Sequence, residues 1–376
     1  MNQPEPEAQQ DDRNDDENVV DDASLDDASV PHTYNITSYG ADFDVDGLVK
    51  RVRNDHIFIP RFQRDYVWTL RDASRLIESL LLGLPVPGIF LAKEAESQRM
   101  LVIDGQQRLK TLRFFFDGVF NPKPHQRTQR VFKLTNVQPQ FEGKTFDELD
   151  ERDRVRLSDT IIHATIIKQE SPAGDDTSVY HVFERLNTGG RKLMPQEIRA
   201  AIFQGNLIGL LGELNQINEW RTIFGLESNR MKDQELILRF MAMYEGAANY
   251  EKPMSEFLTR FAKIHRDLTN TQIETFRGVF VQTIRVVAAA IGQPAFRPER
   301  ALNAAVFDSV MVALAERLDR SSSIDLPAVA KAYEALLSDP DYKRATSEST
   351  SDTSNVALRL ARARAFFGAV PEERYE

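Results

Sequence analysis

Val102-Ile103-Asp104-Gly105-Gln106-Gln107-Arg108-Leu109 joins the apolar run Met100-Leu101-Val102-Ile103 to a segment in which Leu109, Leu112, Phe115 and Phe116 return at helical spacing. The octet therefore reads as a strand-to-helix turn. Gly105 lets backbone approach a ligand closely, and the first N–H groups of the following helix lack intrahelical partners, so an anion fits the vacancy. Arg108 adds a planar fork suited to phosphate oxygens. Asp104 can hold Mg²⁺ or orient a water, or it can cap the helix that carries Arg108. Gln106 and Gln107 cannot act as general bases, but their amides can orient a water or read a base edge. Lys110 supplies a second positive charge one turn into the helix.

Working outward, Ile89-Phe90-Leu91 pairs with the apolar run as a hairpin around the polar residues 94–99. Upstream, Leu76, Ile77, Leu80 and Leu81 form the apolar face of a helix, with Asp72 as its expected cap and Gly83 as its stop. A helix over residues 44–53, a short strand at Tyr34-Asn35-Ile36 and an extended Ile57-Phe58-Ile59 precede it. Downstream, Val131-Phe132-Lys133-Leu134 and the run 161–167 read as strands separated by a charged helix near 146–157. Residues 121–130, with Lys123, Arg127, Arg130 and two prolines, form a loop that is either solvated or in touch with phosphate. A helix beyond Val179 ends at Asn187, and Thr188-Gly189-Gly190 turns into a Pro195-initiated helix carrying Glu197, Ile198 and Arg199.

After Ala201 strand signals almost vanish. Apolar-periodic segments at 235–244, 254–264, 272–291, 300–318 and 327–337 predict a helical bundle. The Ser/Thr-rich run 346–354 reads as a loop or strap before a last helix bearing Arg359, Arg362 and Arg364, a row that faces either nucleic acid or solvent. The fold class is α+β, a small sheet with helices followed by an all-α half. Three regions follow: 1–33, 34–200 and 201–376.

Charge is distributed unevenly over the 376 residues: the first 32 carry eleven acidic side chains and one basic, which accounts for the whole net charge of −10. The body is neutral, and the acidic, aromatic-poor tail is expected to be disordered. It serves solubility, competes with nucleic acid for a basic groove, or tethers a partner. With no cysteine, a disulfide framework, thiolate metal site or cysteine nucleophile is excluded. There is no apolar stretch of roughly 18 residues and no basic-then-apolar N-terminus, so a cytoplasmic protein without membrane contact is expected. Histidine occurs only at 32, 56, 125, 163, 181 and 265, which leaves no HNH nuclease constellation, and no Walker A loop is present.

Two further motifs accompany the turn: Ile59-Pro60-Arg61-Phe62-Gln63-Arg64-Asp65-Tyr66-Val67-Trp68 upstream, and Phe183-Glu184-Arg185-Leu186-Asn187-Thr188-Gly189-Gly190 downstream. The head groups of Gln63 and Arg64 can point into a pocket walled by Tyr66 and Trp68, where Arg64 and Arg108 share one anion. Alternatively, Tyr66 and Trp68 bury one face while Arg64 pairs with a carboxylate. Asn187 ligates a metal or a ribose hydroxyl, or ends its helix before the glycine pair.

Together these motifs resemble the family catalogued as domain of unknown function 262, the N-terminal domain of GmrSD-type restriction and defence proteins, related to the ParB and sulfiredoxin-like fold. The family pattern runs Ile-Pro-x-Phe-Gln-Arg-x-Tyr-x-Trp at 59–68, a Gly-ended helix before a Pro-rich strand start at 79–90, Asp-Gly-Gln-Gln-Arg at 104–108, and Phe-x-x-Leu-Asn-x-Gly-Gly followed by Glu-Ile-Arg at 183–199. The resemblance implies a ParB-like domain over 34–200 with a small mixed sheet, sensing nucleotide or DNA, followed by a helical domain. Sulfiredoxin chemistry itself needs a thiol that this chain lacks. ParB relatives grip phosphates with a Gly-x-Arg-Arg turn, and Gln106-Gln107-Arg108 departs from it by one positive charge, for which Arg64 or Lys110 would compensate.

The expectation is a Mg²⁺-dependent, non-P-loop nucleoside triphosphatase that couples NTP binding and hydrolysis to recognition of DNA, modified DNA included, in phage defence alongside a separate nuclease or effector. Asp104, Gln107 and Arg108 are the candidate catalytic residues, with Asp104 also the candidate Mg²⁺ ligand. Gln63, Arg64, Gly105, Gln106, Lys110 and Asn187 are the candidate nucleotide-binding residues, and a homo-oligomer is compatible with all of this. The alternatives are a DNA sensor that recruits a partner without turnover, and an antitoxin-like module that binds protein through its acidic tail.

Overall fold

In the computed structural model, the residues described are 19–20, 35–59, 66–93, 99–123, 128–171 and 194–373. The chain divides into two compact units, Thr33–Leu193 and Met194–Glu376 together with Met1–His32. Gln63, Arg64 and Asn187, the helix expected to end at Asn187, and most of the acidic tail lie outside the described residues.

The first unit is built on a mixed sheet ordered β2-β6-β4-β5-β3. Its strands are β2 (Asn35–Asp44), β3 (Ile57–Phe58), β4 (Ile89–Lys93), β5 (Met100–Asp104) and β6 (Ile161–Ser171). β4 runs antiparallel to β5, as the hairpin predicts, and parallel to β6. Period-two alternation explains which faces are covered: Ile162, Ala164 and Ile166 of β6 enter the core, while Ile161 and His163 are exposed. Helices α1 (Val45–Arg53), α2 (Leu70–Leu81), α3 (Gln106–Phe116) and α4 (Glu151–Asp159) contribute to this unit, and the first three bring Leu48, Val49, Ile77, Leu80, Leu109, Leu112 and Phe115 into the same core.

The ends of the early helices follow capping chemistry. Asp44 Oδ1 accepts from Gly47 N–H at 2.5 Å to start α1. At α2 the cap is Thr69 rather than Asp72. The two form a capping box in which Thr69 Oγ1 accepts from Asp72 N–H and Asp72 Oδ2 accepts from Thr69 N–H. Two other expectations need correction. The short strand at Tyr34 is in fact the ten-residue β2, held in register by β6, a long-range pairing that local propensity does not show. Val131-Phe132-Lys133-Leu134 is not a strand, because only Val131 forms an isolated bridge, to Val119. Phe132 and Leu134 are nevertheless buried, so the apolar signal reported core rather than ladder.

The second unit contains helices α5 (Pro195–Ile202), α6 (Asn206–Leu214), α7 (Asn218–Phe224), α8 (Lys232–Gly246), α9 (Met254–Ile264), α10 (Asn270–Ala290), α11 (Ala304–Arg320), α12 (Leu326–Ser338), α13 (Pro340–Ser347) and α14 (Thr353–Gly368). The bundle expectation holds, with α6, α7 and α13 added to it. The run at 346–354 is not wholly a strap, since α13 takes its first two residues. In the acidic stretch, β1 (Val19–Val20) pairs in parallel with β7 (Leu302–Asn303), so this part of the presumed tail is a strand.

Neither reading of the α14 arginine row survives for Arg359. That side chain is fully buried against Asp308, with Nε to Oδ1 at 3.0 Å and Nη2 to Oδ2 at 2.9 Å. Arg239 of α8 donates Nε to the same Oδ2 at 2.8 Å. Arg362 is bound to Asp339 and Arg364 to Glu316, so the row holds helices together instead of forming a free basic face.

Candidate nucleotide site

The strand-to-helix turn forms as the sequence predicts. β5 ends at Asp104, which lies opposite Phe90, and α3 begins at Gln106 without a side-chain cap. Gly105 between them has φ +102°, in the left-handed region. A Cβ there would lie 2.5 Å from Ile89 Cγ2, so only glycine fits the turn. The alternative role of Asp104 as N-cap is not realised. Its carboxylate instead pairs with Arg108 one turn on, Nη2 to Oδ2 at 2.9 Å.

Arg108 is the anchor of the site. The same Nη2 donates to the Gly88 carbonyl at 2.9 Å, which ties α3 to the start of β4. The side chain is 15% exposed, and its buried Nε meets no acceptor among the described residues. A buried guanidinium N–H without a partner is costly. Asp104 is half exposed and open to solvent. Gln106 and Lys110 are half-buried on the same helix.

Gln107 is committed more deeply than its sequence position shows. Its Oε1 accepts from Val67 N–H at 3.1 Å and from Trp68 N–H at 3.4 Å, clamping the segment before α2 to α3. Gln107→Ala is expected to cost about 1–2 kcal/mol and to accelerate amide hydrogen exchange at Val67 and Trp68. Exchange unchanged at both amides would contradict the clamp.

Tyr66 is core rather than pocket wall. It is 7% exposed, stands edge-on to Phe114 at 5.0 Å and Phe120 at 5.6 Å, and bonds Thr111 Oγ1 at 2.6 Å. Trp68 is partly buried and packs against the same core. Burial pushes the Tyr66 hydroxyl up to about 12, against the lowering effect of the Thr111 bond. Between pH ~10 and ~12 the unfolded chain therefore ionises while the folded one does not, so this contribution is intact below about 10 and falls as pH rises through the window. Tyr66→Phe should flatten part of that alkaline loss, on the order of 2 kcal/mol, as read by urea unfolding at pH 9 and pH 11.5.

Sequence reasoning missed Gly88 and Ile89. The signal was present in Pro85-Val86-Pro87-Gly88, but only the tertiary pairing shows that this carbonyl receives Arg108. It also missed the cross-strand pair of Asp42 and His163, 2.8 Å apart and both exposed. Among the described residues, no three acidic or histidine side chains cluster as a metal site. Asp104 alone suits a hard cation only if phosphate oxygens and waters complete its shell, the usual arrangement for Mg²⁺. No described helix is long and apolar enough to cross a membrane.

Comparison with known proteins fits this geometry. An uncharacterized protein of Methanocaldococcus jannaschii is 32% identical over 99 residues, covering 20% of this chain and 16% of that protein. The matched part is thus about a sixth of the relative's length. The model of the GmrSD restriction endonuclease N-terminal domain matches residues 45–204, a stretch that contains the whole Asp104–Arg108 turn and α5. Over residues 45–204 the chain is therefore similar to the N-terminal domain of the GmrSD restriction endonuclease.

Proposed function

We propose that the Gly105 turn binds the phosphates of a nucleoside triphosphate, and that the chain couples this binding and hydrolysis to DNA recognition in a restriction-type defence system, beside a separate nuclease or effector. The observation that carries the reading is Arg108: a largely buried guanidinium at an uncapped helix start, with an unmatched Nε and a half-exposed carboxylate at its side. Helix starts of this kind attract anions. In this reading Arg108 and Lys110 hold phosphate, Gly105 and Gln106 let it approach the backbone, and Gln63, Arg64 and Asn187, outside the described residues, remain candidate nucleotide-binding residues.

Mg²⁺, when bound, would offset phosphate charge. Asp104 would hold the cation or orient the attacking water. Gln107 keeps its place in the reading as a positioning residue, because its amide oxygen is already taken by Val67 and Trp68.

That commitment also favours a second reading, in which the same turn senses nucleotide or DNA and recruits a nuclease without turnover. Equilibrium binding of NTP with and without Mg²⁺ tests the shared part. Arg108→Ala should weaken binding by about 10- to 100-fold, the loss of charge-assisted bonds, and Arg108→Lys should not restore it fully. Equal affinity in wild type and Arg108→Ala would remove the turn as the site.

A further inference from the structure

Among the described residues, β2 is an edge strand with one side of its ladder unused. It spans ten residues, Asn35–Asp44, and pairs only with β6 among the described residues. Val45 N–H donates to Thr160 O at 3.0 Å at the end of that ladder. Antiparallel alternation then directs the odd residues 37, 39, 41 and 43 toward β6 and turns the N–H and C=O groups of Ile36, Ser38, Gly40 and Asp42 outward. Thr37, Ser38, Tyr39 and Gly40 are all exposed, although Ile166 and Ile167 opposite them on β6 are buried. The middle of β2 is thus exposed, with the His163 ring beside Gly40 on one face, and its outer edge meets no strand among the described residues.

Edges are normally protected by shortness, lysine, proline or a mid-strand bulge. β2 is long, contains no lysine, arginine or proline, and has its one irregularity at its start, between Asn35 and Ile36. Its charges are also segregated: Asp42 and Asp44 lie at the far end, and residues 35–41 carry none.

We infer that the outer edge of β2 pairs antiparallel with β2 of a second copy of this chain, joining two sheets across a two-fold axis at Tyr39. The charge pattern selects this occupant and direction. In this register Asp42 faces Ile36 of the partner copy, and the two Asp42 carboxylates stand about 20 Å apart, beyond the screening length. Parallel pairing of two copies would instead stack Asp42 on Asp42 and Asp44 on Asp44. The outward residues also fall into register, Ser38 with Gly40 and Ile36 with Asp42, so about eight backbone bonds form. Tyr39 meets its own copy as a non-hydrogen-bonded pair, where side chains lie closest. An isologous contact of this kind closes at a dimer.

The absence of cysteine makes the register directly testable. Tyr39→Cys should form a disulfide-linked dimer on mild oxidation, because facing Cβ atoms at this position lie within disulfide reach. Thr37→Cys, about 14 Å from its copy, should not. In sedimentation velocity the wild type should be a dimer, and Ser38→Pro, which removes an outward N–H and leaves the β6 ladder intact, should be a monomer with an unchanged unfolding midpoint. Tyr39→Lys, which places two ammonium groups on the axis, gives the same readout if Ser38→Pro does not fold. A monomeric wild type across a concentration series, cross-linking at Thr37→Cys equal to that at Tyr39→Cys, or a dimer that persists in both edge variants would overturn the proposal.

Discussion

Asp308→Ala is expected to unfold the helical unit. Asp308 is fully buried between Arg239 and Arg359, and its two oxygens take three guanidinium bonds from helices α8 and α14. Removing the carboxylate takes from two buried guanidiniums the counter-ion they share. Breaking a buried ion pair by deleting one partner costs about 3–5 kcal/mol, a large share of the ~5–15 kcal/mol that stabilises a typical domain. Arg359→Met should be milder, because it removes one cation and leaves Arg239 and Asp308 as a balanced pair. The two tryptophans allow a clean measurement, since Trp220 lies in the helical unit and Trp68 in the other. In a Trp68→Phe background, urea unfolding followed at Trp220 should show Asp308→Ala without a native baseline and Arg359→Met with a lowered midpoint. Equal midpoints for the two would mean that the surplus charge is not what Asp308 controls.

Gly105→Ala is expected to damage both stability and ligand binding. At φ +102° an alanine carries left-handed strain of about 1–2 kcal/mol. Its Cβ would also lie 2.5 Å from Ile89 Cγ2 and 3.0 Å from Ile89 Cβ, an overpacking of about 1–3 kcal/mol. The sum is on the order of 2–5 kcal/mol, focused on the turn that carries Arg108. Because the clash has a named partner, it can be separated from the strain. In an Ile89→Ala background the Cγ2 clash is gone while the tight Cβ contact stays, so the substitution should cost less, with a coupling of roughly 1–3 kcal/mol in the double-mutant cycle. Additive costs would show that Ile89 does not set the requirement for glycine.

The elements that could be read from sequence are those fixed by local rules. The strand-to-helix turn at Asp104 and Gly105, the hairpin, the helix that α1 realises and the start of α5 at Pro195 each have their signal within a few residues. What escaped notice depends on partners far along the chain. β2 owes its length to β6, Gln107 reaches back forty residues to Val67, and Arg108 finds its carbonyl at Gly88. The arginines of α14 illustrate the same limit. A helical arginine row looks alike in sequence whether it faces water or, as with Arg359, an aspartate fifty-one residues away.

The most direct measurement is phosphate release by the purified chain with each NTP and Mg²⁺, with and without DNA, beside Asp104→Ala and Arg108→Ala. The account predicts release by the wild type and its loss in both variants, while each variant keeps its cooperative unfolding transition. No release by the wild type, or release that survives Arg108→Ala, would contradict it.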